Sequence, residues 1–157
     1  MIFAILSMLE ARLVENKKEW ENFVLSQRYS IFLQSPEYME FSLAMGDESW
    51  IIGLYENNKL IGGSLAIAVN AKRGRHIVLP YGPLGDNLTE QQLLVFFEFA
   101  KKLAIKHGFS FIRLSPFVRD NESYRMALKK MGSLKAPMHI LAEDTWILDI
   151  QKNESGT

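Results

Sequence analysis

The sequence predicts one α/β domain whose mixed, mainly antiparallel sheet carries helices on both faces. Three observations point there: two helix-like segments lead into a hairpin over residues 17–69, a strand–helix–strand crossover follows over 76–114, and no repeat, low-complexity tract or long linker divides the 157 residues. By size scaling a chain of this length buries about 68–70% of its unfolded surface, enough for a core without staples.

The elements follow in order. Lys17 to Ser26 places Trp20, Phe23 and Val24 on one helical face. Ser35 and Pro36 make a helix start, the serine capping and the proline in the first turn, and Tyr38, Phe41 and Met45 continue one apolar stripe to Gly46. Trp50 to Glu56 and Lys59 to Val69 are extended runs parted by Asn57-Asn58, which is a hairpin signal. Gly62 and Gly63 in the second run predict a bulge or a close backbone approach. Lys72-Arg73-Gly74-Arg75 turns the chain into a third strand, His76 to Leu79. Thr89 to His107 is the longest helix, with Leu93, Leu94, Phe96, Phe97, Ala100, Leu103 and Ala104 on a broad apolar face and Gly108 as the stop. Phe109 to Leu114 is apolar on both alternating faces apart from Ser110 and Arg113, which predicts a central strand covered on both sides. Asp120 to Met131 reads as a shorter helix ending at Gly132, and Ala136 to Ile150 as one or two strands, the last being Thr145 to Ile150.

Composition narrows the function. The chain is 48% hydrophobic and 23% charged, ordinary for a globular protein, and its 18 Lys+Arg balance 18 Asp+Glu. No net field therefore draws it to DNA or an anionic membrane. The absence of cysteine excludes disulfides and thiolate catalysis. His76, His107 and His139 lack metal-ligand spacing, so no metal is expected, and no GxSxG elbow occurs. The start MIFAILSML is an apolar N-terminal element without a basic leader, followed by Glu10, Arg12 and Glu15. It is neither a signal peptide nor a transmembrane segment, and the expectation is a cytoplasmic protein; Met8 is an alternative start.

The segment Leu79 to Asp86, LPYGPLGD, breaks a strand with two prolines and two glycines just before a helix begins. Pro80 and Pro83 fix φ and remove donors, Gly82 and Gly85 permit turns that other residues resist, and Tyr81 and Asp86 are displayed on the link. Strand ends that feed helices are where α/β folds dock ligands. Asp86 is thus a ligand contact or a favourable charge or cap ahead of the long helix, and Tyr81 a ligand contact or a ring packed over the loop. Arg113, a charge within an apolar strand, needs an internal ion pair or a crevice where it anchors a phosphate or carboxylate. Ser115 closes that strand beside LPYGPLGD. Arg75 faces solvent or approaches a phosphate from the preceding turn.

The element order resembles that of the GNAT-type acyltransferase fold. Five segments, FLQSPEYMEF (32–41), LIGGSLAI (60–67), LPYGPLGD (79–86), FSFIRLSP (109–116) and APMHILAEDTWILDI (136–150), resemble the first domain of the Fem family of peptidoglycan-bridge aminoacyltransferases. The resemblance implies transfer of an amino acid from aminoacyl-tRNA to an amine on the stem peptide of a peptidoglycan precursor, with no cofactor. It also implies that residues 1–157 are a single GNAT-like domain equivalent to the N-terminal half of a two-domain protein, with tRNA reached through a second domain or partner. Family acceptor contacts fall on a tyrosine and an aspartate of the segment matching LPYGPLGD. That assigns Asp86 as the catalytic candidate and Tyr81 as substrate-binding; Gly82, Arg75, Arg113 and Ser115 are further substrate-binding candidates on the residue chemistry above. Tyr81 and Asp86 are expected to face a shared cleft. Two alternatives stay open, an acetyl-CoA-dependent N-acetyltransferase and a noncatalytic precursor-binding domain. The first resembles proteins with a Q/RxxGxG/A phosphate cradle, where this chain has YGPLGD and Pro83 deletes a donor.

Overall fold

The chain alternates helices and strands: β1 (Leu9–Leu13), α1 (Lys17–Ser26), a short 3-10 turn (Phe32–Gln34), α2 (Pro36–Ala44), β2 (Ser49–Glu56), β3 (Lys59–Ala71), β4 (Gly74–Leu79), α3 (Glu90–Lys106), β5 (Phe111–Leu114) and α4 (Glu122–Lys130). The computed structural model describes residues 8–29, 31–72, 74–142 and 148. The strands make one sheet in the order β1-β2-β3-β4-β5; the first three pairings are antiparallel and β4–β5 is parallel.

Helices cover both faces, as expected. Ile52, Leu54, Ala66, Ala68, Ile77 and Leu79 point to the side where α3 contributes Leu93, Phe96, Phe97, Ala100 and Leu103, and α4 contributes Tyr124 and Ala127. Ile51, Tyr55, Leu65 and Ile67 point to the other side, where α1 packs Trp20 and Val24, with Tyr38 and Met39 of α2 at the margin. Alternation along each strand sorts the two sets, and each large side chain fully buried this way contributes about 1.5–3 kcal/mol.

Local chemistry accounts for the boundaries. The Asn16 side chain caps α1 and Ser35 caps α2. Thr89 and Gln92 form a reciprocal capping box at α3, and Asn121 caps α4. Asn57 and Asn58 take φ of 49° and 67°, the left-handed pair that a two-residue hairpin turn requires. The double glycine marks both a register shift, opposite Leu54/Tyr55, and a close approach: a Cβ on Gly62 would lie 2.9 Å from the Leu84 carbonyl oxygen.

Four expectations are corrected or left outside. The N-terminal apolar stretch contains a strand, β1, which the sequence reading did not assign; Leu9 and Ala11 alternate inward while Arg12 pairs with Glu10 at 3.2 Å and lies over the Tyr55 ring. Phe109–Leu114 is not central: among the described residues β5 is the edge strand, and it spans only Phe111–Leu114. Its pattern misled because Phe109 is buried ahead of the strand, while Phe111 stacks on His76 and stays exposed. Of the Tyr38–Phe41–Met45 stripe only Tyr38 packs on the core, since Phe41 is 59% and Met45 68% exposed. Instead α2 turns Ser42 inward, where its hydroxyl accepts a 3.0 Å hydrogen bond from Ser49. In Ala136–Ile150, residues 136–142 carry no strand, and the expected Thr145–Ile150 strand lies outside the described residues apart from Leu148.

Candidate functional site

The link after β4 is tied down carbonyl by carbonyl. Gly82 N–H donates to Leu79 O at 3.3 Å, closing a turn in which Tyr81 takes a φ of 57°, uncommon for a non-glycine residue. The Gln34 side-chain amide donates to Pro80 O, and Phe117 N–H donates to Tyr81 O at 3.2 Å. The Tyr124 hydroxyl donates to Pro83 O at 3.1 Å, and Gly63 N–H donates to Leu84 O at 3.0 Å. Leu84 N–H returns a bond to Gly63 O at 2.7 Å. One carbonyl of the link is thus held within its own turn and four more by four other segments of the chain. Gly82 is obligatory here because a Cβ would stand 1.9 Å from Ser64 Oγ.

This anchoring brings part of the expected site together. Leu79 and Leu114 are the last register partners of the parallel pair, so Tyr81, Gly82 and Ser115 leave the sheet at the same end. Phe117 packs its ring edge-on to Tyr81, with centroids 5.4 Å apart, and to Tyr29 at 5.8 Å. The Tyr81 ring therefore does pack over the loop, yet its hydroxyl makes no hydrogen bond among the described residues. Asp86 is exposed and likewise has no partner among them. It is not the helix cap, because Thr89 fills that role.

Of the other two candidates, Arg75 lies away from this group, while Arg113 stands one residue before Leu114 at the same end of the sheet. Arg75 sits at the opposite end of β4 from Tyr81, so it is no part of a site at the strand's C-terminal end. There its guanidinium pairs with Glu48 at 3.1 Å, bonds Asn70 and the His107 carbonyl, and lies 4.7 Å from the Phe109 ring centre. The expected ion pair of Arg113 is also not formed among the described residues; its Nη2 donates to the Met138 carbonyl instead. A strand arginine can be satisfied by a passing backbone as well as by a carboxylate. His107 ends α3 against Trp50, with ring centres 4.7 Å apart and Nδ1 3.6 Å from Glu48. No group of side chains suited to a metal ion occurs among the described residues, and no described helix is long and apolar enough to cross a membrane.

Sequence reasoning gave no role to Gln34, Ser64, Phe117 or Tyr124, although the structure places all four against the link. Ser64 Oγ accepts from the Gln34 amide at 3.3 Å and donates to Leu65 O at 2.8 Å. Burial raises the Tyr124 phenol pKa well above its ordinary value. The one local signal was the double glycine ahead of Ser64, which announced a close approach without naming what approaches.

Comparisons agree with this arrangement. The model of the FemAB family matches residues 16–133. The crystal structure of FemX superposes with a TM-score of 0.68 at 18% identity, covering 78% of this chain and 31% of FemX. The chain therefore spans about a third of that protein. TTHA1254 from Thermus thermophilus superposes at a TM-score of 0.60 and 17% identity, covering 88% of this chain and 99% of that one. Glucosamine-6-phosphate N-acetyltransferase from Arabidopsis thaliana gives 0.59 and 13%, covering 87% and 99%. At these identities the likenesses establish the fold, that of the GNAT acyltransferases. No curated protein sequence matches the chain.

Proposed function

Because this chain belongs to the FemAB family, we propose that it is an acyltransferase-type domain that binds a peptidoglycan precursor at the C-terminal ends of β4 and β5. One observation carries the reading. On a link with five carbonyls engaged between Leu79 and Leu84, the Tyr81 hydroxyl and the Asp86 carboxylate have no partner among the described residues. A rigid support with unmatched polar side chains is what recognition of a polar ligand requires.

Aminoacyl transfer from an aminoacyl-tRNA ester then makes one bond and breaks another. The acceptor amine attacks the ester carbonyl, the new amide forms, the ribose oxygen leaves, and the amine proton passes to a base and on to the leaving oxygen. Asp86 orients the amine or takes that proton; Tyr81 holds the acceptor through its hydroxyl, with Gly82 letting the link approach and Ser115 beside it. The aminoacyl donor is engaged by a second domain or partner. The reaction proceeds inside the cell, where both substrates are made.

The acetyl-CoA reading has the fold in its favour but a poor phosphate cradle. Of the link's amides, Pro80 and Pro83 have no N–H, and those of Gly82 and Leu84 are committed within the protein.

The test is titration of the folded protein with a UDP-muramyl peptide. Tyr81→Phe and Asp86→Asn are each expected to weaken binding by about 0.5–3 kcal/mol, while thermal unfolding changes less. Affinity unchanged in both variants would overturn the assignment. Precursor binding without turnover, in the presence of an aminoacyl donor and a second domain or partner, would leave a binding domain.

A further inference from the structure

β3 and β4 form a regular ladder from Ala71 opposite Gly74 to Ile67 opposite Val78. Two further steps in that register would pair Leu65 with Pro80. The ladder does not continue. The chain leaves β3 at Pro80, and pairing resumes as a single bridge between Gly63 and Leu84, two residues out of the original register. The surplus of two residues is what lifts Tyr81 and Gly82 off the sheet.

Gln34 fills the opening. It is fully buried, and its side-chain amide lies between the two groups that would have faced each other: Oε1 accepts from Leu65 N–H at 2.6 Å and Nε2 donates to Pro80 O. The second Nε2 proton reaches Ser64 Oγ, and the Gln34 backbone carbonyl accepts from the Trp20 indole at 2.6 Å, which fixes the residue to α1. A primary amide presents a donor and an acceptor side by side, as a peptide group does, so it can stand in for a missing strand. Proline at position 80 has no N–H, so it cannot complete the ladder itself.

We infer that Gln34 is a positioning residue. Its amide substitutes for the interrupted β3–β4 pairing and thereby sets where the chain departs the sheet and where Tyr81 points. Without it the β3 edge and Pro80 are left with unsatisfied groups, and the two-residue surplus has no fixed place to begin. The effect on ligand passes through Tyr81, not through contact with Gln34; this binding half of the inference rests on the acceptor-binding reading above.

Two variants separate the contributions. Gln34→Glu keeps the acceptor for Leu65 N–H but sets an oxygen against Pro80 O, whereas Gln34→Met has similar length and no such groups. Amide hydrogen exchange is the first readout and needs no ligand. The Gly82 and Leu84 amides are expected to lose protection by about tenfold or more in both variants, and Leu65 in the methionine variant alone, with the β2 amides unchanged. The second readout is titration with the UDP-muramyl peptide. Each variant is expected to bind about tenfold more weakly, and adding Tyr81→Phe is expected to cost little further. Wild-type protection of Gly82 and Leu84 in the variants overturns the inference. So do losses that simply multiply with Tyr81→Phe. If the wild-type protein fails to bind the peptide, the functional reading falls while the exchange result still decides the role of Gln34. If neither variant folds, the wild-type protein decides: Leu65 and Gly82 are expected to share one protection factor, and clearly different factors overturn the inference.

Discussion

Tyr124 shows how a single side chain can matter to a site it does not enter. Its hydroxyl is buried and donates to Pro83 O, so Tyr124→Phe leaves that carbonyl unmatched inside the protein. Urea unfolding is expected to show a loss of about 1–3 kcal/mol. The same burial predicts an alkaline effect whose sign is fixed. The folded state holds the phenol above its ordinary 10.0, so the stabilisation is whole below pH 10 and is lost as pH rises beyond it. Tyr55 adds in the same direction, raised first by burial and then by its hydrogen bond to Glu19, with Arg12 opposing. Stability measured from pH 9 to 11 is expected to fall, and to fall less in Tyr124→Phe. That Tyr81, Gly82 and Asp86 lie on an irregular link was legible in the sequence, because prolines and glycines report their own backbone. Gln34 and Tyr124 were not, since they lie 46 and 41 positions from the carbonyls they hold.

Among helices and strands, caps were readable and faces less so. Thr89 carries a capping box visible as a four-residue pattern, and Thr89→Ala is expected to cost about 0.5–2 kcal/mol in unfolding experiments. The α2 stripe was equally visible but misassigned. Spacing says which residues share a helix face, not whether that face meets a sheet, and here the face turned inward carries Ser42, bonded to Ser49. With Phe41 exposed, Phe41→Ser is expected to shift stability by no more than about 0.5 kcal/mol, far less than removal of a core phenylalanine. β5 illustrates the converse error. Its apolar residues are real, but one of them belongs to the turn before it, and an edge position cannot be told from a central one by alternation alone.

For the domain as a whole, the order of elements indicated a mixed sheet between two helix layers, but neither β1 nor the edge position of β5. What the order could not give is which acyl donor such a fold serves, since the glucosamine-6-phosphate N-acetyltransferase above has the same fold. On the proposed function, the two prolines of the link and its committed Gly82 and Leu84 amides weigh against a pyrophosphate cradle. Calorimetric titration with acetyl-CoA is expected to show no affinity at the micromolar level, and a dissociation constant of micromolar or tighter would return the acetyltransferase reading to the front.

The manner in which the link is fastened also bears on folding order. Its carbonyls are held by groups from β3, the 3-10 turn, the segment after β5 and α4, the last of which enters the chain only at Tyr124. None of these long-range bonds can form while its partner is still being synthesised. Ligand binding is therefore expected to arise late, after the sheet has assembled and α4 has docked, and competence to bind serves as a report that nearly the whole described chain has reached its native arrangement.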